Sequence, residues 1–274
     1  MTSQRRASQL TKLTTGVSTL RRRVEQLSAL RAGADQAGAQ IARLERALDF
    51  DRVAAHVRAA VMQALRASDA VAHLLVIDLV PSETYQALID AIPAPAFFDG
   101  DAERGEELRV PPRGVPTTSL VTYAFVHEIG RLVANLLLTS LAEPLASYTR
   151  ARFPSLPPFR DWPVDIPLTE GRLVRRRPGY IGRRPPDRPW QLASGVLDLA
   201  RAHETEEFGG TLQGAVIPFR ANTLLAYVGP PDVHAYASIP VDAPAGTERY
   251  AYEFGIGPAR DDRRTLAGLT GNRA

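Results

Sequence analysis

Cysteine is absent from this sequence, lysine occurs only as Lys12, and no long uninterrupted apolar run is present. The absence of cysteine excludes disulfides, thiolate zinc sites, iron–sulfur clusters and cysteine nucleophiles, so any metal must be held by histidine and carboxylate. Because no stretch of about 18 uncharged apolar residues occurs, no membrane span is predicted. The first residues also lack the apolar segment of a signal peptide, and we therefore expect a cytoplasmic protein.

The scarcity of lysine makes arginine the main source of positive charge. The net charge of +3 is small for 274 residues, so the sequence does not imply nucleic acid as a partner. Three arginine runs, Arg21–Arg23, Arg175–Arg177 and Arg183–Arg184, could meet phosphate groups. Runs of like charge more often lie on solvated faces, and the sequence favours that interpretation for these runs.

The composition fits one substantial globular domain with a helical extension. Hydrophobic residues make up 45% of the chain and charged residues 23%, as in soluble globular proteins. We predict a helical, partly coiled-coil region at residues 1–69, a folded domain at 70–260 and a tail at 261–274.

A heptad-like pattern marks the start of the chain. Apolar residues recur there at alternating steps of three and four: Leu10, Leu13, Val17, Leu20, Val24 and Leu27. This is the a/d pattern of a coiled coil, and Gly33 and Gly38 interrupt it after about three heptads. The stripe could pair with a second copy of the chain or with the chain's own next helix. We expect a homo-oligomer formed through these N-terminal helices.

A second helix and a first strand follow. Val53, Val57, Val61 and Leu65 recur at steps of four and predict a helix over residues 51–68. The short apolar run from Leu74 to Val80 predicts a strand, so the folded domain is expected to start near residue 70.

A surface loop and two more helices are predicted before the strand-rich part of the chain. One helix is expected from Ser82 to Ile92. The range Pro93–Pro116 is rich in proline, glycine and acidic residues, which predicts a long surface loop. The apolar spacing from Ile129 to Leu141 predicts an amphipathic helix that packs on a sheet.

Beyond Pro154 the chain changes to short apolar segments separated by turn residues. We predict strands in six places: around Leu173, Ser194–Leu199, Thr211–Ile217, Leu224–Val228, Tyr236–Val241 and Arg249–Phe254. Many short strands without alternating helices favour a sandwich or barrel over a Rossmann fold. The predicted class is α+β, with a β core, supporting helices and the N-terminal helical extension.

Several motifs in the strand-rich part occur in a recognisable order. They are Arg175–Tyr180, Pro185–Trp190, Gly195–Ala200, Phe208–Leu212, Asn222–Tyr227, His234–Tyr236 and Arg249. Together, over residues 74–256, they resemble bacterial, prolyl-hydroxylase-like members of the Fe(II)/2-oxoglutarate-dependent oxygenase superfamily. The resemblance implies that residues 70–260 form a double-stranded β-helix, or jelly roll.

The resemblance also implies a site. Such enzymes hold Fe(II) with two histidines and one carboxylate, which leaves positions for 2-oxoglutarate and oxygen. Asp187 and His234 match the acid and the distal histidine, and Arg249 matches the arginine that binds the far carboxylate of 2-oxoglutarate. Tyr180 is a candidate contact to the co-substrate, with a core or rim aromatic as the alternative. The implied activity is hydroxylation of an unknown substrate.

The sequence departs from the family pattern at one ligand. Aligning Asp187 with the motif acid puts Pro185 where the first histidine should be, and proline cannot coordinate iron. His203 could in principle replace it, although an exposed polar loop explains His203 without a metal.

Each matched residue also has an ordinary structural interpretation. Asp187 could be a salt-bridged turn residue, and His234 could be a histidine at the end of a strand. Arg249 could pair with Glu248 or Glu253 on the surface.

Two functions therefore remain open. One is an oxygenase that retains metal at Asp187 and His234. The other is a catalytically inactive homologue that serves as a binding or scaffold module. A serine hydrolase has little support, because no Gly-x-Ser-x-Gly motif occurs.

Overall fold

The computed structural model describes residues 25, 28, 31, 38–39, 41–67, 73–103, 105–108, 114–162, 166, 168–180, 190–199, 210–212, 215–217, 220–229, 239, 241–244 and 247–269. The chain divides into two compact units, residues 1–47 and 48–274. In the first unit the described residues are helical. The apolar stripe from Leu10 to Leu27 lies outside the described residues, and the coiled coil stays a prediction.

Five helices are described in the second unit. They are α1 (Phe50–Ala67), α2 (Ser82–Asp90), α3 (Thr117–Ser140), α4 (Ala142–Arg152) and α5 (Arg260–Leu269). The step of four in α1 buries Val53, Val57 and Val61, as the sequence predicts. α1 packs against α3 within the sheet-containing unit, although the sequence analysis grouped it with the N-terminal region. The fully buried Leu266 likewise places α5 in this unit, in a stretch that the sequence analysis treated as a tail.

α3 is the longest of the described helices and packs against β4 and β9 of the sheet. Its 24 residues are long and apolar enough to cross a membrane by length and composition, a property that core helices of soluble proteins share. Eight of its residues are buried, among them Val126, Ile129, Val133 and Leu137. These four side chains share one hydrophobic core with the sheet.

The sheet explains most of the short apolar segments. Its strands are β1 (His73–Val76), β2 (Phe98–Asp101), β3 (Gly105–Leu108), β4 (Leu168–Arg176), β5 (Ala193–Asp198), β8 (Thr223–Val228) and β9 (Arg249–Ile256). They form one seven-stranded sheet in the order β1-β8-β5-β9-β4-β3-β2, and every described pair is antiparallel. A second, two-stranded sheet joins β6 (Gly210–Leu212) to β7 (Ala215–Ile217). The α+β class is therefore confirmed.

The strand pairs after residue 168 are nested within one another. β4 pairs with β9, β5 with β8, and β6 with β7, so early strands pair with late ones. Between the outer and middle pairs, the Gly179 N–H donates to the Ile239 carbonyl at 2.9 Å. The Ile239 N–H donates in turn to the Tyr180 carbonyl at 2.7 Å.

The seven-stranded sheet has two different faces, because successive side chains along a strand point to opposite sides. The helix-packed face carries the large apolar side chains, including Leu74, Leu173, Leu197, Leu224, Tyr252 and Phe254, which pack in one core with the helices. The opposite face, called the polar face here, holds a small apolar cluster of Val174, Val196, Leu225, Tyr227 and Ala251. By register, Arg172, Arg176, Asp198, Arg249 and Glu253 share this polar face.

The predicted surface loop over Pro93–Pro116 is wrong for part of that range. Strands β2 and β3 form a hairpin there and extend the edge of the sheet beside β4. The acidic residues Glu106 and Glu107, which favour a solvated loop in the sequence, instead pair with arginines of β4 and join the hairpin to the sheet. β3 begins at Gly105, whose φ of 86° lies in the region that favours glycine.

Hydrogen bonds of Asn222 connect the segment after β1 to the turn before β8. Asn222 adopts a φ of 56°, and its side chain accepts a hydrogen bond from the Val80 N–H and donates one to the Val80 carbonyl. Its own carbonyl accepts a third bond from the Leu79 N–H at 3.0 Å. The side chain and main chain of Asn222 together thus satisfy the backbone of Leu79 and Val80, which are distant in sequence.

We predict that Asn222→Gly lowers the free energy of unfolding by about 2 kcal/mol, because the buried Val80 groups lose both partners. Asn222→Ala should cost about 1 kcal/mol more, since alanine disfavours the left-handed backbone that glycine tolerates. Urea unfolding of both variants measures the two losses. Equal stabilities for the Gly and Ala variants would show that the backbone conformation is not strained at this position.

Candidate functional site

Two arginines of β4 lie on the polar face, because successive side chains along the strand alternate between the two faces of the sheet. Arg172 and Arg176 fall on either side of Val174, whereas Leu173 packs in the helix-side core. This alternation separates Arg176 from Arg175, its neighbour in sequence. Arg175 is directed to the other face, where it pairs with Glu106 at 2.6 Å and with Glu248.

Glu253 of β9 bridges the two arginines of the polar face. Its carboxylate accepts a hydrogen bond from Arg172 Nε at 3.0 Å and forms an ion pair with Arg176. Although burial opposes ionisation, the charges of Arg176 and Arg172 hold the pKa of Glu253 below its ordinary value. Glu253 is therefore ionised at neutral pH and shared between two guanidinium groups.

Arg249 lies beside Arg176. The two residues are direct partners across the β4–β9 pair, so their side chains leave the sheet on the same face. Arg176 is 5% exposed and Arg249 is 3% exposed. Two buried guanidinium groups in neighbouring positions repel each other, so this end of the polar face requires negative charge close by.

Asp198 is the last residue of β5 and lies diagonally across the β5–β9 pair from Arg249. It pairs with Ala251 in the register of β5 and β9, two residues from Arg249 on the same face. Burial raises the pKa of Asp198 to about 7, although the charges of Arg176 and Arg249 oppose the rise. Near neutral pH this carboxyl group is therefore only partly ionised.

Tyr180 completes the described part of the site. It is buried, and its ring lies under the Arg176 guanidinium, whose carbon is 5.2 Å from the ring centroid. This is cation–π geometry. Trp190, the other aromatic of the motif region, instead stacks on Phe153 with ring centroids 4.6 Å apart and belongs to the core.

The structure corrects the interpretation of the run Arg175–Arg177 as a solvated face. Arg175 and Arg176 have side chains only 12% and 7% exposed, and each is ion-paired with glutamate. Their partners come from β3, β9 and the residue before β9, which are distant in sequence. Arg175 and Arg176 therefore form buried ion pairs, whereas the side chain of Arg177 is 43% exposed and pairs with Glu106.

Arg249 is also not a surface residue, which removes the interpretation in which it pairs with glutamate in solvent. The described pairs of Glu248 are with Arg175 and Tyr250, and those of Glu253 are with Arg172 and Arg176. Arg249 and Tyr180 share Arg176 as a common neighbour on the polar face.

The predicted metal ligands lie outside the described residues. This applies to Asp187 and His234, and to Pro185 and the substitute candidate His203. Within the described part of the chain, no group of three or more histidine or acidic side chains could hold a metal ion. The assignment of Asp187 and His234 stays a prediction.

Sequence reasoning missed three members of the site. Arg172 and Glu253 lie outside the motifs, and Asp198 lies within Gly195–Ala200 with no role assigned to it, yet each is a charged residue in a strand. That signal was present, because a charge at alternate positions of a buried strand needs a partner on the same face. Only the register of β4, β5 and β9 shows which charges meet.

Comparisons with known proteins show a likeness in structure and none in sequence. The sequence matches no protein-family model and no curated protein at a significant level. Among solved structures, it is similar to the viral collagen prolyl hydroxylase of Paramecium Bursaria Chlorella virus-1, in its complex with 2-oxoglutarate. The likeness covers 67% of this chain and 94% of that chain, at 13% identity and a TM-score of 0.38. A match at this level does not assign the chain to a family.

Proposed function

We propose that this chain is an oxygenase-like jelly-roll protein that binds 2-oxoglutarate on the polar face of its sheet. Arg249 would bind the far carboxylate of 2-oxoglutarate and Tyr180 would line the site. If metal is retained at Asp187 and His234, the protein would hydroxylate a substrate whose identity the sequence does not give. The observation that carries the proposal is the buried Arg249 beside Arg176 on this face.

The nested strand pairs support the jelly roll. A jelly roll is a long antiparallel hairpin rolled into two sheets, so its first strand pairs with its last and its middle strands pair with each other. β4 with β9, β5 with β8 and β6 with β7 have this arrangement. The hydrogen bonds from the Gly179 N–H to the Ile239 carbonyl and from the Ile239 N–H to the Tyr180 carbonyl join the described ends of the segments in which Asp187 and His234 occur.

The electrostatics of the polar face support an anionic ligand. A buried guanidinium is costly unless an anion is close, and the carboxylate of a 2-oxo acid offers the bidentate geometry that arginine prefers. A carboxylate of a 2-oxo acid bound on this face would add such a pair with Arg249.

Iron fits this donor set poorly. The family site needs two histidines and one carboxylate, and this chain offers Asp187, His234 and, in place of the first histidine, Pro185. When bound, iron would supply oxygen activation. The described residues would contribute the binding and orientation of the acid.

The missing ligand favours the alternative function. A homologue that has lost its metal could persist as a binding or scaffold module that keeps the acid-binding face. The N-terminal helices would then mediate assembly, as the heptad pattern predicts.

Metal titration separates the two functions. We expect wild-type protein to bind Mn(II) at least about tenfold more weakly in the presence of 2-oxoglutarate than Pro185→His, because the variant restores a third donor. Pro185→Ala is the matched control, since it removes the same backbone restriction without adding an imidazole. Tight stoichiometric metal in the wild type would support the oxygenase and point to His203. No gain of Pro185→His over Pro185→Ala would contradict the assignment of Asp187 and His234.

A further inference from the structure

Tyr252 and His127 form a hydrogen-bonded pair on the helix-packed face of the sheet, opposite the polar face. The phenolic oxygen of Tyr252 lies 2.8 Å from Nδ1 of His127. Tyr252 is 1% exposed, whereas His127 is only partly buried. The pair therefore joins a fully buried phenol of β9 to an imidazole of α3 that reaches toward the surface.

Gly171 of β4 makes space for this pair. A Cβ at this position would overlap the Tyr252 hydroxyl and would lie 2.6 Å from Nδ1 of His127. Because the interior is close-packed, a side chain at position 171 would push the two groups apart. The close contact of phenol and imidazole thus depends on a glycine here.

The direction of the hydrogen bond follows from the partners of the hydroxyl. The described residues give the Tyr252 hydroxyl one hydrogen-bond partner, Nδ1 of His127. If Nδ1 carried the proton and donated it, the buried phenolic O–H would have no acceptor, which is costly. Tyr252 therefore donates to an unprotonated Nδ1, and the imidazole carries its proton on Nε2.

Tyr123 provides an internal comparison. Its ring meets the ring of Tyr252 edge to face, with centroids 6.2 Å apart. Its hydroxyl, however, donates to the Gly171 carbonyl at 2.9 Å. A carbonyl oxygen accepts a hydrogen bond, whereas imidazole also takes up a proton near neutral pH. Of these two neighbouring tyrosines, Tyr252 is the one whose hydroxyl meets a base.

We infer that Tyr252 and His127 form a one-electron redox site. A one-electron oxidant of high potential, such as a transition-metal complex, takes one electron from the phenol and is reduced by one electron. The phenolic proton moves at the same time from the Tyr252 oxygen to Nδ1 of His127, which leaves a neutral tyrosyl radical and an imidazolium. Reduction returns the electron to the radical and the proton to its oxygen. The site uses none of the acid-binding residues of the proposed function.

The burial of Tyr252 makes the proton acceptor necessary. Burial, and to a smaller extent Tyr123 and Glu128, raises the pKa of Tyr252, so the phenol is protonated at neutral pH. An oxidised phenol that kept its proton would be a cation, and an unpaired charge in an apolar core is costly. Proton transfer places the positive charge on His127, which is partly buried, so that water can solvate it.

Photo-oxidation of the full-length protein in metal-free buffer tests this pair. A photogenerated ruthenium(III) tris-bipyridine complex serves as the oxidant, and electron paramagnetic resonance of rapidly frozen samples measures the tyrosyl radical. We expect wild-type protein to hold a radical whose signal is largely lost in Tyr252→Phe. Tyr123→Phe is the matched control, because it removes the hydroxyl of the neighbouring ring, and it should keep the signal.

His127→Gln separates a proton acceptor from a merely structural partner. Glutamine retains a hydrogen-bond acceptor but is not a base, so this variant should lose most of the radical. In wild-type protein, time-resolved absorption should show slower radical formation in D₂O than in H₂O, because the proton moves with the electron. A merely structural hydrogen bond predicts an unchanged radical in His127→Gln and no isotope effect.

Three results overturn the inference. They are a radical signal that is unchanged in Tyr252→Phe, one that is unchanged in His127→Gln, and the absence of a radical in wild-type protein under conditions that oxidise free N-acetyltyrosinamide. If circular dichroism shows that Tyr252→Phe does not fold, His127→Gln and the isotope effect decide. Each of these results leaves 2-oxoglutarate binding untested, so failure here is distinguishable from failure of the proposed function.

Discussion

Replacing Gly195 by alanine is expected to lower the free energy of unfolding by about 3 kcal/mol, because the new methyl group has no space. A Cβ at this position would lie 2.0 Å from Cζ of Phe254 and 2.4 Å from its Cε1. Phe254 is the direct cross-strand partner of Gly195 and is 5% exposed. Its ring cannot swing away without disturbing the helix-side core, so the central strands of the sheet must move apart.

A second substitution tests this explanation. Phe254→Leu should itself lower stability by about 1 to 2 kcal/mol, because it leaves a cavity. In the double variant with Gly195→Ala, the smaller side chain makes space for the methyl group, and part of the loss should be recovered. A double-mutant cycle from urea unfolding should give a coupling of about 1 to 2 kcal/mol. Simple additivity would show that the ring is not what excludes a side chain at position 195.

Replacing Asp198 by asparagine is expected to stabilise the protein at pH 8 and to change little at pH 4. The folded state raises the pKa of Asp198 from its ordinary value of 3.8 to about 7, so the folded protein prefers the protonated form. By linkage, wild-type stability falls as pH rises between these two values and levels off above about 7. Because asparagine does not titrate, the stability of the variant does not fall over this pH range for this reason.

The size of the effect follows from the same values. A rise from 3.8 to about 7 corresponds to about 4 kcal/mol at about 1.36 kcal/mol per unit. The side chain is only partly buried, so we expect about 2 kcal/mol at pH 8. The difference in stability between variant and wild type, measured from pH 4 to pH 8, isolates Asp198 from carboxylates such as Glu253 whose contribution has the opposite sign. If Asp198→Asn proves less stable than wild type at pH 8, the ionised carboxylate is a needed partner of Arg249.

Local pattern predicted the elements of this fold better than it predicted their partners. The step of four in α1 and the apolar runs at β5, β8 and β9 were sufficient to place these elements, because each reflects burial along one element. The β2–β3 hairpin was missed, since Glu106 and Glu107 resemble loop residues until the arginines of β4 are placed beside them. Strand order depends on contacts between residues distant in sequence, and the spacing of apolar residues within one segment does not reveal these contacts.

The candidate site shows the same division. Arg249 and Tyr180 were found through a motif, and the structure places both on or beside the polar face. Arg176 was assigned to a solvated run, because its partner Glu253 is far away in sequence. Asp198 lies within a motif but received no role, since its raised pKa results from burial that only the assembled sheet produces.

The central claim is that the polar face binds the acid group of 2-oxoglutarate at Arg249, and a crystal structure of the full-length protein with 2-oxoglutarate tests it most directly. We expect density for one ligand on this face, with a carboxylate about 2.9 Å from the guanidinium nitrogens of Arg249. Density for the ligand elsewhere, or an Arg249 whose guanidinium contacts only protein groups in crystals soaked to saturation, would contradict the account.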